Sequence, residues 1–280
     1  MNIAVYLPSA QIADTAVGAL LAEALLTPKP GLVDASGRHS HPDMSLAQLA
    51  ASAEALREPL RQCANAARDM PLGLDLRVWI GVIGREGERR MLATTGGVNT
   101  HRGALWALGL LSAGVAATET LTDAIAFAAR LAQLPDPARG HPVSHGERAR
   151  LRYGAGGAVV EAQEGFPHVV AHGLPMLRTC QKRGESADAA ALNSLMAIAA
   201  SLDDTCVLHR GGPRGLAFVQ RSAAAVLGRG GSATPAGWRR LQRFCRHADK
   251  RGLSMGGSAD LLAATLFLDA VMPEGQTCKH

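Results

Sequence analysis

Apolar residues return at helical spacing through most of this chain, and nowhere do they alternate with polar ones over the length of a strand. Ile12, Ala16, Ala19, Leu20 and Ala24 fall on one stripe and predict a helix over 11–26, closed where Pro28 and Pro30 withhold backbone N–H groups. Ser45 and Gln48 form a capping-box pair, and Leu46, Leu49, Ala50, Ala53 and Leu56 trace the face of a second helix behind it. The same period predicts helices over 74–84, 100–117, 122–134, 186–202, 214–227, 235–250 and 258–271. Thr234-Pro235 supplies an N-cap and a first helical residue. Asp260 is expected in the first turn of the last helix, begun at Ser258, where the helix dipole favours a carboxylate.

Composition agrees with this reading. Ala, Leu and Gly dominate while aromatic and β-branched residues are scarce, which favours packed helices because Ala and Leu lose little side-chain entropy there. The expected fold is all-α: one multi-helix domain over 1–280, with its active site built from interhelical loops. The proline-bearing stretch 134–145 has the look of a linker, but helices of the same composition resume after it. No internal repeat suggests a solenoid. The most apolar run, 103–117, is shorter than the roughly 20 residues a membrane span needs, and the N-terminus lacks the pattern of an export signal. A buried helix and a cytoplasmic location follow as expectations. An Ala- and Leu-rich helix face fits a core or a second copy of the chain equally well, so the pattern permits a homo-oligomer.

The formal charge of +5 is small and dispersed, which argues against a nucleic-acid groove and suits an anionic small molecule. The cysteines Cys63, Cys180, Cys206, Cys245 and Cys278 are odd in number and contain no C-x-x-C pair, so neither a disulfide framework nor a zinc site is indicated.

Four interhelical stretches carry polar residues and glycines that the apolar period does not explain. They read Thr27-Pro28-Lys29-Pro30-Gly31-Leu32-Val33-Asp34, then Gly96-Gly97-Val98-Asn99-Thr100-His101-Arg102-Gly103. Further on come Asp203-Asp204-Thr205-Cys206-Val207-Leu208-His209-Arg210-Gly211-Gly212 and Gly256-Gly257-Ser258-Ala259-Asp260-Leu261-Leu262. Glycine at a helix start leaves free N–H groups on the positive end of a dipole, a natural phosphate site; tight turns and C-caps are the simpler use of the same glycines. Lys29, Arg102, Arg210 and Arg214 add cations beside these turns. Asp34, Asp43, Asp203, Asp204 and Asp260 add the hard oxygens that Mg²⁺ takes beside a polyphosphate. His39, His41, His101 and His209 are candidates for proton transfer, with His41 (beside Asp43) and His101 (beside Asn99) preferred. No P-loop, dinucleotide fingerprint or kinase signature is present, so ATP would occupy an uncommon helical site.

Taken in order, these stretches resemble the triphosphoribosyl-dephospho-CoA synthase family, in the form serving malonate decarboxylase and more distantly the form serving citrate lyase. The resemblance begins at Glu23 and the Thr27–Asp34 stretch and passes through His41-Pro42-Asp43-Met44. It is strongest at Thr95-Gly96-Gly97-Val98-Asn99-Thr100-His101-Arg102-Gly103. It resumes at Gly165-Phe166-Pro167, Leu202-Asp203-Asp204-Thr205 and His209-Arg210-Gly211-Gly212, and closes at the Gly256–Ala263 stretch. Two positions depart from the family pattern. Met255 stands where a proline is usual, and Arg38-His39-Ser40-His41 where Gly-Ala-His is usual, leaving His39 and His41 as candidates with spacing to Asp43 favouring His41.

The resemblance implies an all-α fold, a Mg²⁺ requirement, and transfer of the 5-triphosphoribosyl group of ATP to the 2′-hydroxyl of 3′-dephospho-CoA with release of adenine. The product is a prosthetic-group precursor, passed to a prosthetic-group transferase and then to the acyl-carrier subunit of malonate decarboxylase. An inverting displacement needs a base for the attacking hydroxyl, here His101 or Asp204, and an acid beside the departing adenine, here His41 with Asp43. Asn99 completes the catalytic set. Lys29, Gly96, Gly97, Arg102, His209, Arg210, Gly211, Gly212, Gly257, Ser258 and Asp260 are expected to bind substrate. Glu23, Asp34, Asp43 and Asp204 are expected to hold Mg²⁺. A Mg-dependent nucleotide N-glycoside hydrolase of the ADP-ribosylglycohydrolase kind and a non-catalytic nucleotide-binding module are the two alternatives.

Overall fold

The computed structural model describes residues 7–138 and 145–272. The expected signal-free N-terminus, Cys278 and much of the 134–145 stretch therefore lie outside the described residues. Among those described, every regular element is helical, as the missing period-two pattern predicted; the sole extended pairing is an isolated bridge between Asp34 and Gly37.

The first half comprises α1 (Ser9–Leu25), α2 (Leu46–Ala55), α3 (Arg57–Asp69), α4 (Leu74–Thr94), α5 (Arg102–Ala117) and α6 (Leu121–Gln133). α7 (His145–Tyr153), α8 (Gly157–Gln163), a π-helical turn (Val169–Gly173) and α9 (Leu174–Lys182) follow. α10 (Ala187–Ala199), α11 (Thr205–Leu227), α12 (Pro235–Lys250) and α13 (Gly256–Val271) complete the described helices. The capping signals hold: Ser45, Thr120, Ser186 and Thr234 each accept a backbone N–H at the start of the helix they precede.

Four departures have physical causes. α3 escaped the periodic reading because Leu56 closes α2 and opens α3 within one residue, and its core face is made of Leu60, Cys63 and small alanines, Ala64, Ala66 and Ala67. α4 runs ten residues past the predicted stop at Gly84, to Thr94. Gly87 there packs against Leu105 and Pro59, so close helix contact offsets the glycine's conformational cost. The stretch read as a loop after Asp203 is helical from Thr205, with a kink at Gly212 (φ 59°) and Pro213 restarting the helix near the predicted Arg214. α13 begins at Gly256 rather than Ser258, so Asp260 lies beyond its first turn.

α5 is buried on nearly every side from Ala104 to Ala116 and is flanked by α1, α3, α4, α6 and α13. One apolar cluster, from Ile12 on α1 to Leu268 on α13, joins the two halves of the chain. No helix among the described residues is long and apolar enough to cross a membrane.

Candidate functional site

The helix starts that sequence singled out do converge, but their free N–H groups already have partners. Asp204 N-caps α11, its Oδ1 accepting from the N–H of Cys206 (2.9 Å) and Val207 (3.3 Å). The same carboxylate reaches α13, where Oδ1 accepts from Gly257 N–H (3.4 Å) and Oδ2 from Ser258 N–H and Oγ–H (2.8 and 2.9 Å). One buried acid therefore closes two helix N-termini. Asp260 does the same for α5, accepting the Ala104 N–H and lying so close to Gly103 that any Cβ there would overlap its Oδ2. Gly103 is required by this approach, while a Cβ on Gly257 would make a tight 3.1 Å contact with Asp204 Oδ1.

Around these caps Thr205, Cys206, Gly256, Gly257 and Asp260 are partly exposed, as are Gly103, which abuts Asp260, and Trp106 of α5; this partly exposed patch is the recess. A fourth edge comes from a glycine-rich turn that the periodic reading passed over, Gly154-Ala155-Gly156-Gly157. Gly157 abuts Thr205, and Trp106 Nε1–H donates to the Ala158 carbonyl (3.1 Å), which ties α8 to α5. Three glycines in four residues beside a helix start were the signal available in the sequence.

The electrostatics of the recess are unusual for so acidic a cluster. Burial, then the charges of Glu23 and Asp204, drive the Asp260 carboxyl well above the ordinary carboxylate range and favour its protonated form. Asp204 is also raised by burial, against the five hydrogen bonds that favour its anion. The Cys206 thiol, buried beside both acids, is pushed up and remains a thiol. His101 is 3% exposed; its Nδ1 pairs with Ser52 Oγ (2.8 Å), while Nε2 is buried with no hydrogen-bond partner. Burial, helped by Lys29 and opposed by Glu23, lowers its pKa to about 4, so the ring is neutral at neutral pH.

The remaining expected site residues divide. The Lys29 ammonium, expected at phosphate, is buried and engaged by the Glu23 carboxylate (2.7 Å) and the Glu23 carbonyl (2.5 Å). Asp34 accepts from Lys29 N–H, from Ser36 twice and from His39, and these bonds hold it below the usual range although burial opposes them. His39 bridges Asp34 and Asp249 and, against burial, is raised by both. Gly96 and Gly97 close α4: Gly96 (φ 67°) is left-handed and Gly97 N–H bonds to Leu92 O (2.7 Å), a C-cap rather than an anion site. Asn99 Oδ1 accepts the Arg102 N–H at the exposed rim, while the Arg102 guanidinium turns to Glu88. Gly211 and Gly31 both pack on Leu253, and Gly212 is the kink of α11.

Arg210 and His41 form a second, adjoining group. Arg210 donates to the Ser40 carbonyl (2.8 Å) and to His41 Nδ1 (3.3 Å), and His41 Nε2 contacts Ser254 Oγ (2.8 Å). Burial and the neighbouring Arg210 lower His41 to about 4, against Asp43. Asp43 is exposed and His209 lies on the outer surface of α11. The four acids expected to bind Mg²⁺ are thus spoken for or apart, and among the described residues no group of three His, Cys, Asp or Glu is arranged to hold a metal ion. They do not fit a resident Mg²⁺. An open groove of about 540 Å³ between α1, α2, α3 and α4 is lined by surface ion pairs such as Arg57–Glu54 and by none of the expected site residues.

Comparison with known proteins agrees with the motif order. The model of the family described as CitG: ATP:dephospho-CoA triphosphoribosyl transferase matches residues 9–278. A Pseudomonas putida protein, named a probable 2-(5″-triphosphoribosyl)-3′-dephosphocoenzyme-A synthase, is 54% identical over 262 residues, 92% of this chain and 93% of its own. Proteins of the same name from Azotobacter vinelandii (51% over 270 residues; 94% and 92%) and Stutzerimonas stutzeri (50% over 273; 95% and 94%) are similar throughout. No solved structure matches the chain.

Proposed function

The chain belongs to the ATP:dephospho-CoA triphosphoribosyl transferase family, and on that premise we infer that it is the enzyme moving the triphosphoribosyl group of ATP onto dephospho-CoA. We propose further that the acceptor is the ribose 2′-hydroxyl, that adenine leaves, and that the product serves a malonate decarboxylase carrier subunit by way of a separate transferase. One catalytic domain in the cytoplasm fits the continuous core and the free thiols of Cys63, Cys180, Cys206 and Cys245.

The convergence of the α5, α8, α11 and α13 starts on the Asp260 recess carries this reading. Substituting a sugar–base bond by a sugar–sugar bond needs a proton for adenine and a proton acceptor for the hydroxyl, on opposite faces of the ribose. Asp260 is the better acid, because its surroundings favour the protonated form and it keeps some solvent access; His41 is neutral and already engaged by Arg210 and Ser254. His101 is the better base, because its Nε2 is neutral and unpartnered, whereas both Asp204 oxygens are committed to helix caps. Arg210 and Arg102 at the rim supply charge for the phosphates. Mg²⁺ enters as part of the substrate, bound to the triphosphate, in keeping with its habit of using few protein ligands and several phosphate oxygens.

Incubating the protein with ATP, Mg²⁺ and dephospho-CoA should release adenine and yield a heavier CoA species in equal amounts. ATP hydrolysis to ribose triphosphate at a comparable rate without dephospho-CoA makes it a hydrolase; ATP binding with no turnover makes it a binding module. A sharper check is Gly103→Ala. The added methyl overlaps Asp260 Oδ2, so adenine release should fall at least about a hundredfold, while circular dichroism keeps the helical signal because α5 itself tolerates alanine. Near-normal turnover in that variant removes Asp260 from the chemistry.

A further inference from the structure

One charged pair lies outside the recess but touches the segment that enters it. Glu161 on α8 is buried, and its carboxylate grips His168 twice, accepting the backbone N–H at Oε1 (2.9 Å) and Nδ1–H at Oε2 (2.6 Å). The Ser201 carbonyl, at the exit of α10, also lies by the ring. The Glu161 carboxylate and the Ser201 carbonyl both favour the imidazolium. The backbone is built to put it there: Gly165 (φ 81°) and the fully buried Phe166 (φ 55°) are both left-handed, and Phe166 N–H bonds back to Glu161 O (2.7 Å). A left-handed phenylalanine is a costly conformation, kept where surrounding structure fixes it.

From Ser201 the chain needs three residues to reach Asp204, the acid that closes α11 and α13. Gln220 holds the same short segment from the opposite side, through the Leu202 carbonyl (3.3 Å) and Asp203 Oδ1 (3.4 Å). We propose that the Glu161–His168 pair is a positioning device for the reaction, clamping the 201–204 segment so that Asp204 sets the α11 and α13 starts around the recess. His168 touches no reacting group; it acts through Asp204. The inference rests on the transferase reading above.

The groups acting most strongly on the ring are Glu161 on α8 and Asp203 on the segment itself, with His172 of the π-helical turn at 5.8 Å between ring centroids. The Glu161 hydrogen bond first, and then its charge and that of Asp203, raise His168 above the ordinary histidine value. The clamp is therefore complete below about pH 6.5 and released as pH rises through the raised value, so turnover should carry an alkaline decline.

The test combines kinetics with direct titration. In the wild type, histidine NMR should place the His168 titration above 6.5. His168→Gln should lower kcat about tenfold at pH 7, leave KM for ATP near its wild-type value, and flatten the alkaline decline. Glu161→Gln should keep the hydrogen-bonded shape and move the decline to lower pH. A His168 titration at or below 6.5 overturns the proposal, as does a folded His168→Gln enzyme with wild-type kcat and an unchanged profile. Because the titration needs no turnover, it separates this inference from the transferase reading, which fails if wild-type protein releases no adenine.

Discussion

Replacing Asp204 by alanine is expected to lower stability by about 4 kcal/mol, which in a protein of this size is a fall in Tm of roughly 10 °C. The arithmetic starts from two helix N-termini. Losing an N-cap acceptor costs about 1 kcal/mol per helix. Leaving the buried Ser258 N–H and Oγ–H without an acceptor adds about 1–3 kcal/mol more. Asp204→Asn should fall between: its Oδ1 can still accept from Cys206, Val207 and Gly257, but an amide NH₂ in place of Oδ2 faces the Ser258 donors and repels them. Thermal or urea unfolding ranks the three proteins, and an alanine variant within about 1 kcal/mol of wild type rejects the double-cap argument. Adenine release should be lost in the alanine variant even at temperatures where it is folded, because the α11 and α13 starts that shape the recess are no longer joined.

Asp204 also illustrates what was legible in the sequence. Its motif was visible, as were its neighbours, because polar residues and glycines interrupted an otherwise regular apolar period. Which function each residue served was not, since a carboxylate capping two helices and a carboxylate activating a nucleophile have the same local sequence. Lys29 is a similar case: beside Pro28, Pro30 and Gly31 it read as a phosphate ligand, and only tertiary structure shows its ammonium buried on Glu23. Gly96-Gly97 and Gly256-Gly257 look alike on paper. The first pair ends a helix and the second admits a side chain from fifty residues away. Long helices were readable from their periods, whereas α7, α8 and α9 were not, because helices of seven to nine residues show barely two turns of pattern. The Glu161–His168 pair lies in one such stretch.

His101→Asn should reduce kcat by about a thousandfold, the middle of the range for losing a general base, with Ser52 still able to bond the shorter side chain. The same substitution has a second, independent signature in stability. Wild-type His101 titrates at about 4 when folded, against about 6.5 in the unfolded chain. As pH falls below 6.5 the unfolded state takes up the proton first, so stability present above 6.5 is lost progressively down to pH 4, by about 3 kcal/mol in all. His41 adds to this loss, while His39 and His168, whose values are raised, act in the opposite sense. The pH dependence of the whole protein therefore mixes four rings with shifted carboxyls such as Asp34, Asp204 and Asp260, but the difference between wild type and His101→Asn isolates one ring. That difference should change by about 3 kcal/mol between pH 7 and pH 4. A flat difference means that Nε2 is not confined as described, and turnover within tenfold of wild type means that another group takes the hydroxyl proton. Both outcomes together would move the base out of the α5 start altogether.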